Sequence, residues 1–211
     1  MFEAKFRLKH KGCWSNGLRR FKSRFVTHNT ISLDGGFVQD ITEVILADKK
    51  EAAPIKKYFL SNKLIKKVEI LQESPERLLI QVFTNTSDIK SIVHTVLKHK
   101  CFVFNKVPLV QGYEVWTIAA PRKSAIRKAL EEVSTFGDFK LVHVKKSTFD
   151  GFNLSAMQDK VLQMALDLGY YKWPRKISLS GLAKKLSLSK VTVAEHLRKA
   201  EIKVMSREFC K

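Results

Sequence analysis

Acidic residues, cysteines and long apolar runs are all scarce in this sequence. Only 20 of its 211 residues are Asp or Glu, against 39 Lys or Arg, so the formal net charge is +19. A charge this positive indicates a polyanionic partner, either nucleic acid or an anionic membrane surface. No apolar run approaches the ~20 residues of a transmembrane helix, and the N-terminal segment lacks the apolar block of a signal peptide. We therefore expect a globular chain without a membrane span.

The three cysteines, Cys13, Cys101 and Cys210, are an odd number and widely spaced. They predict neither a disulfide framework nor a zinc motif, so a reducing, cytoplasmic setting is the default. His10 and His28 could join Cys13 and Cys101 in a metal or redox site, but their spacing favours structural roles. Gly-rich phosphate loops, His-Glu-x-x-His and recognisable carboxylate pairs are also missing. The sequence thus predicts no enzyme, no cofactor and no metal.

Apolar residues alternate with basic ones at the N-terminus, where Phe2, Ala4, Phe6 and Leu8 predict the core side of a strand. The pattern that follows predicts an α+β fold in which β-α-β-β-α-β occurs twice over residues 1–148. This is the ferredoxin-like order, with two helices on one face of a four-stranded sheet. Two such units in tandem, or one merged sheet, both fit. The predicted strands are 2–9, 25–33, 37–47, 63–71, 78–84, 101–104, 115–119 and 140–144, and the helical segments are 12–24, 49–60, 88–98 and 122–133.

Three local signals refine this tandem prediction. Residues 34–36, Asp-Gly-Gly, predict a hairpin, and Ser87 is a candidate N-cap for the helix at 88–98. Residues 44–47 before a Lys-Lys pair resemble residues 116–120 before Arg-Lys, a faint internal echo. Polar, glycine-containing residues 147–153 predict the boundary between this N-terminal region, 1–148, and the rest of the chain.

The remainder, residues 154–206, predicts three helices. Ser155 and Gln158 form a possible capping box at the first helix, and Gly169 is placed to end it. Ser178 and Ser189 are candidate caps for two further helices, separated by a tight turn at 187–189. Core positions follow helical spacing: Met157, Val161, Met164, Ala165 and Leu168; Leu179, Leu182, Ala183 and Leu186; Leu188 in the turn; and Val193, Leu197, Ala200 and Val204. This is the pattern of a helix-turn-helix, whose second helix lies in the DNA major groove.

Specific residues in this region resemble a known family. Gly169-Tyr170 followed by Pro174-Arg175, and Thr192-Val-x-x-His-Leu-Arg-x-Ala200, are similar to the archaeal helix-turn-helix domain of bacterio-opsin-activator-type regulators. The Thr-Val-x-x-His run also resembles the output domains of NarL-like response regulators. The family has glycine in the turn where this chain has Ser187. The resemblance implies a cytoplasmic, archaeal transcriptional regulator with a variable N-terminal sensing or oligomerising region.

The predicted recognition helix, about 190–204, offers DNA-binding candidates on its outer side. Arg198 suits a bidentate contact to guanine, Glu195 can accept from cytosine, and Val191 or Ala194 can touch a thymine methyl. The other predicted contacts, mainly to phosphate, are Arg175, Lys176, Lys184, Lys185, Ser189, Lys190, Thr192 and Lys199. For each lysine, a solvated surface is an equal alternative.

Other residues have more ordinary interpretations. His196 is expected to pack and hydrogen-bond, and Tyr170, Tyr171 and Trp173 are expected to be packing aromatics. Basic residues at 5, 7, 9 and 19–24 could extend a DNA footprint or form a solvated surface. The leading hypothesis is a homodimeric, sequence-specific regulator with double-stranded DNA as partner, a possible small-molecule effector and no membrane partner. An RNA-binding or architectural protein that uses its basic sheet surfaces is the alternative.

Overall fold

The computed structural model describes residues 1–85, 90–104, 106–146 and 154–209. The chain divides into two compact units, Met1–Ser147 and Thr148–Lys211. The predicted joint at 147–153 lies outside the described residues. No helix in the described ranges is long and apolar enough to cross a membrane.

The N-terminal unit is built on one antiparallel sheet of nine strands, in the order β4-β5-β3-β2-β7-β8-β1-β9, with β6 paired to β8. The strands are β1 Phe2–His10, β2 Arg24–Leu33, β3 Phe37–Ile45, β4 Ile65–Glu73, β5 Arg77–Asn85, β6 Phe102–Val103, β7 Val107–Val110, β8 Tyr113–Ala120 and β9 Gly137–Lys146. Its helices are α1 Ala52–Ser61, α2 Ile92–Lys98 and α3 Lys123–Val133, and 3₁₀ turns include Trp14–Arg20 and Lys49–Glu51.

The α+β class is confirmed, and of the two predicted arrangements the single sheet is observed. The first strand pairs with the late strands β8 and β9, not with its sequence neighbour β2. Its alternating pattern buries Ala4, Phe6 and Leu8 completely. The pairing therefore joins the two ends of the unit.

Several local predictions needed correction. Strand β7 was missed, because Pro108 interrupts a short apolar run and proline cannot donate to a sheet ladder. Residues 14–20 form a 3₁₀ turn within the helical segment expected at 12–24. Helix α2 begins at Ile92, where the Ser91 hydroxyl accepts from the His94 amide at 3.2 Å. The predicted cap, Ser87, lies outside the described residues.

Two apolar cores stabilise the unit. One packs β1, β8 and β9 against α2 and α3, with Phe6, Ile118 and Ile126 at its centre. The other packs β2, β3 and β5 against α1 and the 3₁₀ turn, with Phe59 and Ile80 at its centre. The sheet is shared, but each half has its own buried cluster.

The C-terminal unit consists of three helices, α4 Ala156–Asp167, α5 Leu179–Leu186 and α6 Lys190–Phe209. Its core contains Val161, Leu182 and Val193, which are fully buried. Ser155 and Gln158 form the predicted capping box at the start of α4. Gly169 ends α4 with a φ of 75°, a left-handed conformation that glycine adopts without steric cost.

The full burial of Phe6 generates a stability prediction. Truncation in Phe6→Ala should lower the free energy of unfolding by ~3–5 kcal/mol, since it leaves a cavity between the sheet and its helices. Denaturant titration of the full chain measures the change. The half-exposed Ile31 on β2 provides a control, because Ile31→Ala should cost under ~1 kcal/mol. Equal losses for the two variants would contradict the assigned core.

Candidate functional site

The start of α6 is fixed by a hydroxyl cap. Ser189 Oγ accepts from the Thr192 backbone amide at 3.0 Å and lies 2.8 Å from Thr192 Oγ1. Ser178 caps α5 in the same way, accepting from the Gly181 amide at 3.1 Å. Both predicted caps are confirmed. The cap satisfies only one of the amides at the N-terminus of α6, and the remaining ones favour a nearby anion.

The turn between α5 and α6 keeps the backbone shape of a glycine turn without a glycine. Ser187 has φ 54° and ψ 39°, in the left-handed region. The Leu188 amide donates to the Ala183 carbonyl at 3.1 Å, and Leu188 packs against the core as predicted. The helix-turn-helix domains that this segment resembles have glycine in the turn, because glycine adopts a left-handed backbone without steric cost. Ser187 preserves the turn at a steric cost of roughly 1–2 kcal/mol.

One side of α6 is free of core contacts. Val193, Leu197 and Ala200 are buried against α4 and α5, as the periodicity predicts. The opposite residues are exposed, and the Val191 side chain is 78% exposed although it is apolar. The exposed set is Lys190, Val191, Ala194, Glu195, Arg198 and Lys199. Helical spacing places these side chains on one continuous surface, which we call the α6 face.

Two of the charged side chains on the α6 face already form an ion pair with each other. Lys199 Nζ donates to Glu195 Oε1 at 2.5 Å, an i,i+4 ion pair that lowers the pKa of Glu195. The pair engages Oε1, and the second carboxylate oxygen of Glu195 is the acceptor offered to a base. Arg198 forms no ion pair within the described ranges, so its guanidinium is available to an external acceptor.

The segment before α5 contributes further exposed cations. Arg175 stacks over the Tyr170 ring, with Cζ 4.4 Å from the centroid, and this contact orients the guanidinium. Lys176 is also exposed, and its backbone amide donates to the Gly169 carbonyl at 3.1 Å. Lys184 and Lys185 are exposed in the last turn of α5. All four cations are accessible to solvent.

Five predictions for the C-terminal unit needed correction. Trp173 and Tyr171, both expected to pack, are exposed, because the aromatic connection leaves the core after Tyr170. Met157 and Val204 are also exposed, since they lie near the outer ends of α4 and α6, beyond the core residues Val161 and Ala200. His196 is half-buried as expected, but its Nδ1 has no hydrogen-bond partner in the part of the chain that the structure describes.

The basic N-terminal residues are partly committed to internal contacts. Arg20 stacks on the rings of Phe21 and Tyr58, and Lys9 lies over the Tyr113 ring. Arg7 is exposed on the side of β1 opposite the core residues. Residues 19, 20, 22 and 24 are exposed.

The N-terminal unit also contains a cavity that the sequence did not reveal. Its volume is about 90 Å³. A single water molecule needs ~10–15 Å³ on the same measure, so the cavity can hold several waters or a small ligand. Apolar and aromatic walls surround an unusual number of polar side chains. The polar lining comprises His10, Cys13, Ser15, Thr27, Thr30, Asp40, Thr42, Thr84, Ser91 and Glu114.

Burial perturbs the ionisable groups of this cavity. It raises the pKa of the Asp40 carboxyl to about 7. A hydrogen bond with Thr30 lowers this pKa, and the negative charge of Glu114 raises it further. Burial also raises the pKa of the Cys13 thiol, and the Glu114 charge acts in the same direction. It lowers the pKa of the His10 imidazole, against the attraction of Glu114. Such clusters of perturbed groups concentrate at functional sites.

Of the four residues considered for a metal or redox site, two lie at this cavity. His10 and Cys13 are close to each other, and Glu114 joins them from β8. His28 instead pairs with Glu43 at 2.7 Å, and the buried Cys101 thiol donates to the His99 carbonyl at 3.6 Å. Glu114 was not predicted from the sequence, although a lone acidic residue within the apolar run of β8 is a recognisable signal.

Comparison with known proteins gives a match in the C-terminal unit. Residues 154–206 match the model of a family described as "HTH DNA binding domain". The resemblance to bacterio-opsin-activator-type helix-turn-helix domains is thereby confirmed for these residues.

A longer but weaker similarity extends into the N-terminal unit. A protein of Haloferax volcanii named "Putative transcriptional regulator" is 24% identical over 157 residues, which cover 69% of this chain and 26% of that protein. The chain thus spans about a quarter of the length of this relative.

The left-handed turn at Ser187 generates a testable prediction. Ser187→Gly should raise the free energy of unfolding of the C-terminal unit by ~1 kcal/mol, since glycine removes the Cβ clash. Ser187→Ala keeps the Cβ and should stay within ~0.5 kcal/mol of the wild type. Hydrogen exchange of the Val193 and Leu197 amides measures both. A glycine variant no more stable than the alanine variant would refute the strained turn.

The raised pKa of Asp40 predicts a pH dependence of stability. The folded chain keeps this proton to about pH 7, whereas the unfolded chain releases it near the ordinary value of 3.8. The stabilising contribution is complete below that ordinary value and is lost as pH rises through 7. Wild type should therefore lose ~2–3 kcal/mol of its free energy of unfolding, relative to Asp40→Asn, between pH 5 and pH 8, because asparagine does not titrate.

Denaturant midpoints at the two pH values check this result. Asp34→Asn, at an exposed turn position, is the matched control, and wild type should show no such loss relative to it. A parallel pH response of Asp40→Asn and wild type would contradict the buried, protonated carboxyl.

Proposed function

We propose that this protein is a sequence-specific DNA-binding transcriptional regulator that places α6 in the major groove. The observation that carries the proposal is the α6 face, a continuous exposed surface at the amino-terminal half of a helix whose opposite side is buried. An α-helix of this kind fits the width of the major groove. The family match over 154–206 and the net charge of +19 support the same conclusion.

Within this proposal, the side chains of the α6 face have separate roles. Arg198 reads guanine through two parallel hydrogen bonds, and its guanidinium, which is exposed and has no ion pair among the described residues, is available for both. Glu195 accepts from cytosine, and Val191 and Ala194 contact thymine methyl groups. The proposed phosphate contacts come from Ser189, Lys190 and Thr192 at the start of α6, from Lys199 further along α6, and from Arg175 and Lys176 before α5.

The N-terminal unit supplies dimerisation, effector sensing or both. A single three-helix module buries only ~600–1,000 Å² against DNA, so useful affinity requires two half-sites. In a symmetric dimer the two α6 helices would meet half-sites about 34–36 Å apart. We propose a cytoplasmic, non-enzymatic regulator of this kind.

We also propose that the N-terminal unit is a pair of ferredoxin-like repeats that exchange their first strands. The repeats run from β1 to β4 and from β5 to β9, with the 3₁₀ turn at 14–20 as the first helix of the first repeat. In the sheet, β1 lies between β8 and β9, and β5 lies between β4 and β3. The first strand of each repeat thus lies between the third and fourth strands of the other repeat, where that repeat's own first strand would lie in a separate ferredoxin-like sheet. The echo at 44–47 and 116–120 falls on the equivalent third strands, which supports the duplication.

The role of Arg198 can be tested on a site obtained by selection from genomic DNA fragments. Arg198→Ala should cost ~1–3 kcal/mol of binding free energy on this site and relax specificity at one base pair. Binding to base-substituted duplexes provides the readout. Lys160→Ala removes an exposed charge from α4, away from the α6 face, and should change neither quantity.

Lys190→Ala tests a phosphate contact in the same assay. It should weaken binding to all duplexes similarly and reduce the slope of log affinity against log salt by ~1. Unchanged duplex binding in both variants would refute α6 as the recognition helix. A higher affinity for RNA or single strands than for any duplex would favour the RNA-binding alternative.

A further inference from the structure

Three potential metal ligands meet at one end of the cavity in the N-terminal unit. His10 ends β1, Cys13 follows it, and Glu114 lies on β8, which pairs with β1. One ligand atom from each lies within 4.8 Å of the others. The cluster therefore combines an imidazole and a thiol that are three residues apart with a carboxylate from a strand 101 residues after Cys13.

Hydrogen bonds and packing contacts fix the positions of the Glu114 carboxylate and the His10 ring, and a metal site requires ligands held in place in this way. Ser15 Oγ donates to Glu114 Oε1 at 2.6 Å, and Trp116 Nε1 donates to Oε2 at 2.9 Å, so both carboxylate oxygens are fixed. His10 is buried, stacks on Phe136 and forms a hydrogen bond with the Lys90 backbone. A hydrogen bond at one ring nitrogen sets the orientation of the other, as in known histidine ligands.

Cavity space adjoins the cluster. The residues of the cluster line the cavity, together with Thr84 on β5. The Thr84 Oγ1 hydroxyl is buried without a hydrogen-bond partner in the described ranges. A buried hydroxyl without a partner is costly, and a water or ligand in the cavity would satisfy it. The space can thus hold an exchangeable molecule beside the three side chains.

We propose that His10, Cys13 and Glu114 bind one divalent transition-metal ion of the zinc class, with the fourth coordination position facing the cavity. Nitrogen, sulfur and oxygen donors together suit Zn²⁺ and Co²⁺ and disfavour Ca²⁺ or Mg²⁺, which prefer oxygen alone. Tetrahedral ligands at ~2.0–2.3 Å from the metal lie roughly 3.3–3.7 Å apart. The Cys13 thiol donates a hydrogen bond to Glu114 Oε1 at 3.3 Å, a separation within that range. Metal binding would replace the thiol proton, which leaves to solvent, and would draw in the ligand atoms, which lie within 4.8 Å of one another.

The metal site is tested by titrating Co²⁺ into the full-length chain under reducing conditions. One Co²⁺ per chain should bind and give a thiolate-to-cobalt charge-transfer band with tetrahedral visible bands. Cys13→Ser should abolish the charge-transfer band. Glu114→Gln keeps the shape of the side chain and should keep the band but weaken binding at least ~10-fold.

A double variant, Cys101→Ser with Cys210→Ser, is the matched control, because it retains Cys13 alone and should keep the full band. Circular dichroism confirms that each variant is folded. Absence of the band in the wild type would overturn the site, as would its persistence in Cys13→Ser.

Discussion

The pairing of β1 with β8 and β9 is the contact on which the N-terminal unit depends. The nine residues of β1 become an inner strand of the sheet, between two strands more than a hundred residues later. This pairing buries Phe6 against α2 and α3 and thereby completes one of the two cores. It also carries His10 and Cys13 to Glu114. Core formation and cavity formation are therefore consequences of the same interaction.

Local signals explain why much of the fold was predictable. The alternation at Phe2 to Leu8 and the Asp-Gly-Gly turn gave β1 and the hairpin between β2 and β3. The pairing of β1 with β8 was not predictable, because alternation identifies a strand and its buried side but not its partner. Strand β7 was missed for a different reason. Its proline opposes strand formation, and only the tertiary position beside β2 and β8 overrides that preference.

The two candidate sites also differ in whether local sequence signals are enough to predict them. The α6 face was predictable, since one helix with a 3.6-residue period displays its residues together without help from the rest of the chain. The exposure of Trp173 was not, because an aromatic residue in a connection carries no periodic signal. The cavity was hardest, since His10 and Glu114 become neighbours only through strand pairing. Cys13 could be noticed as a potential ligand, but its partners could not.

The late arrival of the partners of β1 has a consequence for biosynthesis. Strand β9 ends at Lys146, so the first ten residues leave the ribosome long before either neighbouring strand exists. At ~5–20 residues per second this interval is roughly 5 to 30 seconds, during which an apolar strand stays unpaired. The C-terminal unit has no such delay, because its helices contact near sequence neighbours and such topologies fold rapidly. We therefore expect nascent chains to be most vulnerable to aggregation, and most dependent on chaperones, before Lys146 is exposed.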